Sequence, residues 1–127
     1  MHSVKLESIQ LSANSKTTTA NQKKTTSDQN YDQVIADYSK ALELDSGFTY
    51  AWYNRANAKV FMHDYTGAVE DLSRTIFCDG TFADAYFNRG ILLIFLEDNT
   101  DACADLSKAG ELGILPSYNV MKRYCYK

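Results

Sequence analysis

The fold is decided by a stretch that occurs three times in the 127-residue chain: ADYSKALELD at 36–45, EDLSRTIFCD at 70–79 and ADLSKAGELG at 104–113. Within it, an aspartate, the serine two residues later and the base after that serine each recur at intervals of 34 residues. A fixed period of roughly 20 to 50 residues indicates a protein built from stacked supersecondary repeats. The residues in register are Asp37, Asp71 and Asp105, then Ser39, Ser73 and Ser107, then Lys40, Arg74 and Lys108.

A second block repeats with the same period. YAWYNRANAKVF at 50–61 aligns with DAYFNRGILLIF at 84–95, again 34 residues apart. Apolar residues in both blocks recur at steps of three and four, which predicts amphipathic helices. Asp64 and Asn99 stand just before the later helices, and their side chains are of the kind that caps a helix N-terminus. Each repeat is therefore predicted to be a pair of helices joined by a short turn.

These residues resemble the tetratricopeptide (TPR) repeat, a 34-residue helix-turn-helix unit with small and large apolar residues at set places. Its signature places hold Trp52, Ala56, Ala68, Leu72 and Thr75 in one repeat, and Tyr86, Gly90, Ala102, Leu106 and Ala109 in the next. The NRA and NRG variants, with Arg55 and Arg89 where the family often has Leu, are similar to a form common in bacterial members. The ending, with Gly113 after a helix and Pro116 near the next start, resembles a C-terminal repeat and its capping helix.

The resemblance implies an all-α fold, a TPR-type α-solenoid of stacked antiparallel helix pairs with a flexible N-terminal tail. Residues 1–27 form the tail or an inserted linker, and residues 28–127 form the TPR domain. Within that domain we expect the second helix of a degenerate first repeat at 28–45, repeats at 48–81 and 82–115, and a capping helix at 116–126. Large side chains between helices, Trp52 above all, are expected to be buried, with a cost of roughly 3–5 kcal/mol for Trp52→Ala.

The N-terminus departs from the repeat. One period before residues 30–44, where a first helix belongs, the sequence is a Thr- and Lys-rich stretch with no large apolar residue, which favours a flexible linker. Two interpretations stay open: residues 3–11 supply a displaced helix, or the chain is the C-terminal part of a longer array, which we favour. No secretory signal is recognised at residues 1–10, so the default expectation is a cytoplasmic protein.

Charge and composition argue against several function classes. Residues 28–127 hold nine bases against fifteen acids, which disfavours binding to a phosphate backbone. No apolar run is long enough for membrane insertion. The three cysteines, Cys78, Cys103 and Cys125, show no metal-ligand spacing and are expected to be thiols that pack as small apolar residues. We expect no enzyme activity, no metal and no cofactor, because His63 has no second imidazole near it in the repeat pattern and no nucleotide or hydrolase motif is present.

The repeated aspartates have a structural interpretation, because catalytic pairs do not recur once per repeat. We expect Asp71 and Asp105 to pair with Arg55 and Arg89 and to tie each first helix to its second or to a neighbour. The alternative is a solvated surface pair, which contributes only about 0–1 kcal/mol to stability.

The predicted function is non-enzymatic protein binding. In a TPR array the first helices line a concave groove, so the resemblance implies a site for a peptide or helix of a protein partner whose identity the sequence does not reveal. Asparagine amides there can bond a peptide backbone, whereas Asp84 and Asn88 stand where a carboxylate clamp would need bases. The predicted groove residues are Tyr50, Tyr53, Asn54, Asn57, Phe61, Asp84, Phe87, Asn88 and Ile91.

Two alternatives stay open beside this prediction. In the first, Phe61, Ile94 and Phe95 belong to the core and the asparagines are solvated or support turns. In the second, the chain is an assembly element that forms a homo-oligomer or stacks on upstream repeats through its exposed first-repeat face.

Overall fold

The computed structural model describes residues 28–126, and over this range the chain is all-α, with six helices and no strand. The tail at 1–27 and the alternatives for residues 3–11 lie outside the described residues. The helices are α1 (Asp28–Leu44), α2 (Thr49–Phe61), α3 (Tyr65–Cys78), α4 (Ala83–Phe95), α5 (Asn99–Glu111) and α6 (Pro116–Tyr124). They fall into two compact units, an N-terminal one that ends at Gly80 and a C-terminal one that begins at Thr81.

Helix positions follow the 34-residue period. α2 begins at residue 49 and α4 at residue 83, while α3 begins at residue 65 and α5 at residue 99. The turns between paired helices also repeat, because His63 and Glu97 both adopt a left-handed conformation with φ near +65°. A residue in this conformation is a common way to end a helix. The sequence period is therefore a period of local structure.

Of the two predicted helix N-caps, Asp64 is confirmed and Asn99 is not. The Asp64 carboxylate accepts a hydrogen bond from the Gly67 backbone N–H, as expected of an N-cap. At the equivalent place the cap is Asp98, which accepts from the Asp101 backbone N–H, and the prediction of Asn99 is wrong. Either side chain can cap a helix, so composition alone does not choose between neighbours.

In the described part of the N-terminal unit, α2 packs against both α1 and α3. Its core is formed by small and aliphatic residues, among them Leu42, Ala51, Ala68 and Leu72. Trp52 is only half-buried, which corrects the expectation of a buried indole. Its indole Nε1–H donates to the Ser46 carbonyl over 2.9 Å, and the guanidinium groups of Arg55 and Arg74 lie 5.2 and 5.7 Å from the ring centroid.

The C-terminal unit packs α5 between α4 and α6. α5 ends before Gly113, which has a φ of +109°, and Pro116 occupies the first turn of α6, as predicted. On the inner side of α6, the Ser117 hydroxyl donates to the Leu106 carbonyl. The hydrophobic core of this unit consists of Phe87, Ile91, Ile94, Ala102, Leu106, Ala109 and Met121.

Gly90 marks the closest approach of α4 and α5. A Cβ atom at this position would lie 2.9 Å from Leu106 Cγ and 3.2 Å from the Ala102 carbonyl oxygen. We therefore expect Gly90→Ala to destabilise the protein by about 1 kcal/mol, since the steric cost outweighs the gain in helix propensity. Urea unfolding followed by circular dichroism measures the change. Gly80→Ala is the control, because its Cβ meets nothing closer than 3.9 Å, and a net stabilisation by Gly90→Ala would contradict the close packing.

A disulfide bond joins Cys103 of α5 to Cys125 just after α6. The expectation that these two cysteines are free thiols is therefore wrong, while Cys78 is a free, half-buried cysteine. The error arose because pairing depends on where α6 lies on α5, and the spacing of the cysteines along the chain does not specify that. The bond holds the C-terminal helix against the body of its unit.

We predict that the Cys103–Cys125 bond stabilises the C-terminal unit. It closes a loop over a sequence separation of 22 residues, for which the chain-entropy model gives about 3 kcal/mol. Urea unfolding with and without a reductant measures this in a Cys78→Ser background, which leaves one cysteine pair. Reduction is expected to lower the free energy of unfolding there and to leave a Cys78→Ser/Cys125→Ser variant unchanged. Equal stability of the oxidised and reduced protein would refute this role.

Candidate functional site

A charged cluster joins the three helices of the N-terminal unit. The Arg55 guanidinium on α2 donates two hydrogen bonds to the Asp71 carboxylate on α3, each 2.8 Å long. A third bond, 3.0 Å long, runs from the same guanidinium to the Ser39 hydroxyl on α1. Lys59 Nζ lies 3.1 Å from Oδ2 of Asp71, one of the two oxygens that Arg55 contacts. One arginine thus contacts both neighbouring helices.

The carboxylate at the centre of this cluster is buried and paired with two cations. Asp71 is only 2% exposed, and a carboxylate in such a place is tolerated when it is paired and hydrogen-bonded. The hydrogen bond to Asp71 raises the pKa of Arg55 above its ordinary value, against the opposing effect of burial. An arginine side chain is charged throughout the ordinary pH range, and the bonds that Arg55 makes to Asp71 and Ser39 link α2 to both neighbouring helices.

The C-terminal unit contains the equivalent pair. Arg89 on α4 donates to Asp105 on α5 through two hydrogen bonds of 2.7 and 2.8 Å. The hydrogen bond to Asp105 likewise raises the pKa of Arg89, against the effect of burial. Both predicted pairings are confirmed, and the solvated alternative is wrong because Asp71 and Asp105 are buried. We call each bidentate pair an Arg–Asp latch.

Asp37 shows what the same residue does without an arginine. It occupies the equivalent place on α1, where it is exposed and accepts a hydrogen bond from Gln33 one turn away. The repeated aspartate is thus a latch residue only where a first helix supplies the guanidinium.

We predict that Asp71→Asn destabilises the protein by about 3–5 kcal/mol, because it leaves Arg55 and Lys59 without their buried counter-charge. Asp37→Asn makes the same chemical change at an exposed site and is expected to cost less than about 0.5 kcal/mol. Chemical unfolding of the two variants beside the wild type gives both numbers. Similar losses from the two substitutions would mean that the latch contributes no more than a surface contact.

Four of the five predicted groove residues of α2 form one face of that helix. Tyr50, Asn54, Asn57 and Phe61 follow at steps of four, three and four, so they share a stripe. Tyr50 and Phe61, at its ends, are 53% and 49% exposed, whereas Asn54 and Asn57 between them are 8% and 5% exposed. Tyr53 lies off the stripe and is 2% exposed. The accessible part of this set is therefore aromatic.

The predicted groove residues of α4 are less accessible. Phe87 and Ile91 belong to the hydrophobic core of the C-terminal unit, and Asn88 has no exposed surface. Asp84, in the first turn, is half-buried. In this conformation Asp84 alone of the four offers surface to a ligand. The alternative that the asparagines are solvated is also wrong, since Asn54, Asn57 and Asn88 are all buried.

One contact at the stripe was not foreseen. The Tyr31 ring of α1 stacks on Phe61, with centroids 4.9 Å apart and planes 10° from parallel. An aromatic residue at the start of α1, opposite the end of the next antiparallel helix, was the available signal for it. The stack holds the Phe61 ring in place while half of that side chain stays exposed.

Over 28–126 the structure contains no group of three or more His, Cys, Asp or Glu side chains able to hold a metal ion. His63 is exposed, and its Nδ1 lies 2.8 Å from the Tyr65 hydroxyl. Repulsion from Asp98 raises the pKa of Asp101, and both are exposed at the start of α5. In the same range no helix has the length and apolar character needed to cross a membrane.

Comparison with known proteins adds no family to this description. No protein-family model matches the chain, and no curated protein matches it significantly.

Proposed function

We propose that the chain is a non-enzymatic, TPR-type interaction module that binds an extended peptide of a partner protein along the Tyr50–Phe61 stripe of α2. The observation that carries this proposal is the pair of half-exposed aromatic side chains, one at each end of a single helical face. Exposed aromatic residues that are held in place are typical anchors of protein interfaces.

The latch supports this use of α2. At 100° per residue, the side that carries Trp52, Arg55 and Lys59 is opposite the Tyr50–Phe61 stripe. Because Arg55 and Lys59 both contact Asp71 of α3, that side is committed to packing. The stripe is consequently turned away from α3. At its C-terminal end, the Tyr31 ring stacks on Phe61.

Dimensions and charge limit the ligand. Tyr50 and Phe61 are eleven residues apart, which is about 16 Å along a helix and matches about five residues of extended chain. The two cations of α2, Arg55 and Lys59, lie on the opposite side of the helix and are paired with Asp71. The stripe therefore favours a peptide with two apolar side chains near its ends and no need for an acidic group.

We expect Tyr50→Ala and Phe61→Ala each to weaken peptide binding by about 10- to 100-fold, since each removes the burial of one aromatic side chain, worth about 1.5–3 kcal/mol. The ligands are ten-residue peptides selected from a random displayed library on the wild-type protein. Fluorescence anisotropy then gives the dissociation constants for wild type and variants.

Phe77→Ala is the matched control, because it removes an 82% exposed aromatic residue of α3 outside the stripe. It is expected to leave peptide affinity unchanged. If no peptide is selected, or if the selected peptides bind all variants equally, the proposed function is wrong.

A further inference from the structure

A second exposed apolar surface lies at one end of the N-terminal unit. Leu44 and Phe77, at the ends of α1 and α3, are 83% and 82% exposed. Phe48, in the turn between α1 and α2, is 46% exposed. The chain brings these segments together, because Cys78 Sγ lies 3.9 Å from the Ser46 carbonyl oxygen. We call Leu44, Phe48 and Phe77 the end patch.

Phe77 is out of keeping with the repeat. The residues 34 positions before and after it are Glu43 and Glu111, both exposed at the ends of their helices. Helix packing therefore does not need an aromatic residue at this place. Together with Leu44 and Phe48, Phe77 forms an exposed apolar group, and such groups are typical of binding surfaces.

The C-terminal helix carries another unpartnered face. Its outer side carries Tyr118 and Lys122, four residues apart. Leu115 stands just before the helix, three residues from Tyr118, and Tyr126 follows just after its end. Leu115 is 68% exposed, Tyr118 46% and Tyr126 61%. The Tyr118 ring packs on Gly110 of α5, where an added Cβ would come within 2.6 Å of it. We call these four residues the cap face.

The two surfaces have opposite charge. The segments that form the end patch, 42–48 and 76–80, contain three acids, and the nearest base along α3 is Arg74, which lies over the Trp52 ring. Residues 112–126 contain two bases, and the nearest acid is Glu111 at the end of α5. Glu43 and Asp45 are exposed beside the end patch, and Lys122 and Arg123 are exposed at the cap face. Each surface thus combines apolar side chains with charges that the other can neutralise.

We propose that the cap face of one copy of this chain docks on the end patch of a second copy. The pairing buries three exposed apolar side chains from each surface and places Lys122 near the acids that flank the end patch. It is heterologous, since the two surfaces differ, so repetition produces either a ring or an open chain. The contact is separate from the Tyr50–Phe61 stripe and does not depend on peptide binding there.

Sedimentation velocity over a range of concentrations tests the association. Wild type is expected to gain mass with concentration and to lose that gain at high salt, which screens exposed charges. Phe77→Glu places at residue 77 the amino acid found at 43 and 111, so its fold is expected to persist. It should weaken association at least tenfold, as should Tyr118→Glu/Lys122→Glu, while Lys108→Glu, a charge change on the outer face of α5, should not.

Mixing the variants tests the pairing itself. Phe77→Glu keeps an intact cap face, and Tyr118→Glu/Lys122→Glu keeps an intact end patch. Heterologous docking predicts that neither variant associates alone, but that an equimolar mixture forms a 1:1 complex that does not grow further.

Three outcomes would overturn the proposal. The first is a wild-type protein that stays monomeric at all concentrations, and the second is a mixture that stays monomeric while the wild type associates. The third is a monomer that binds vesicles containing phosphatidylserine and loses that binding with Tyr118→Glu/Lys122→Glu, which would assign the cap face to an anionic membrane. Peptide affinity measured on the same variants keeps this result distinct from the fate of the proposed function.

Discussion

The buried Arg–Asp latch is the interaction on which this structure depends. Small residues bring paired helices close, but apolar contacts alone leave their rotation about the helix axis weakly specified. A bidentate guanidinium–carboxylate pair has one favourable geometry, and the Arg55–Asp71 and Arg89–Asp105 pairs adopt it with almost equal distances. Since both aspartates are buried, a misrotated helix pair would leave a charge unpaired, which is costly. The latch thereby specifies which face each first helix turns inward.

That choice also determines which surfaces remain for binding. With one side of α2 committed to α3, the stripe from Tyr50 to Phe61 lies on the opposite side. In the C-terminal unit, α6 buries Met121 against the core and leaves Leu115 and Tyr118 exposed. The exposed side chains of both surfaces thus belong to helices whose other sides carry the packing.

The sequence predicted the helices well because the 34-residue period carries apolar spacing, small residues and caps together. It also predicted both latches, since an arginine and an aspartate recurred with the same interval. It failed where the answer depends on tertiary placement. The cysteines at 103 and 125 pair only because α6 folds back on α5. The predicted groove residues include Asn88 and Ile91, which helix packing buries completely. The spacing of polar and apolar residues along a helix does not reveal which of two faces of mixed polarity a neighbouring helix covers.

The most direct test of the central claim is a double-mutant cycle on Arg55 and Asp71. Arg55→Met, Asp71→Leu and the double variant are unfolded in urea beside the wild type, and the coupling energy isolates the latch from the other effects of each substitution. The account predicts a coupling of about 2 kcal/mol or more, in the range of hydrogen bonds to charged groups. A coupling below about 0.5 kcal/mol, the value of additive and independent sites, would contradict the claim that the latch orients the helices.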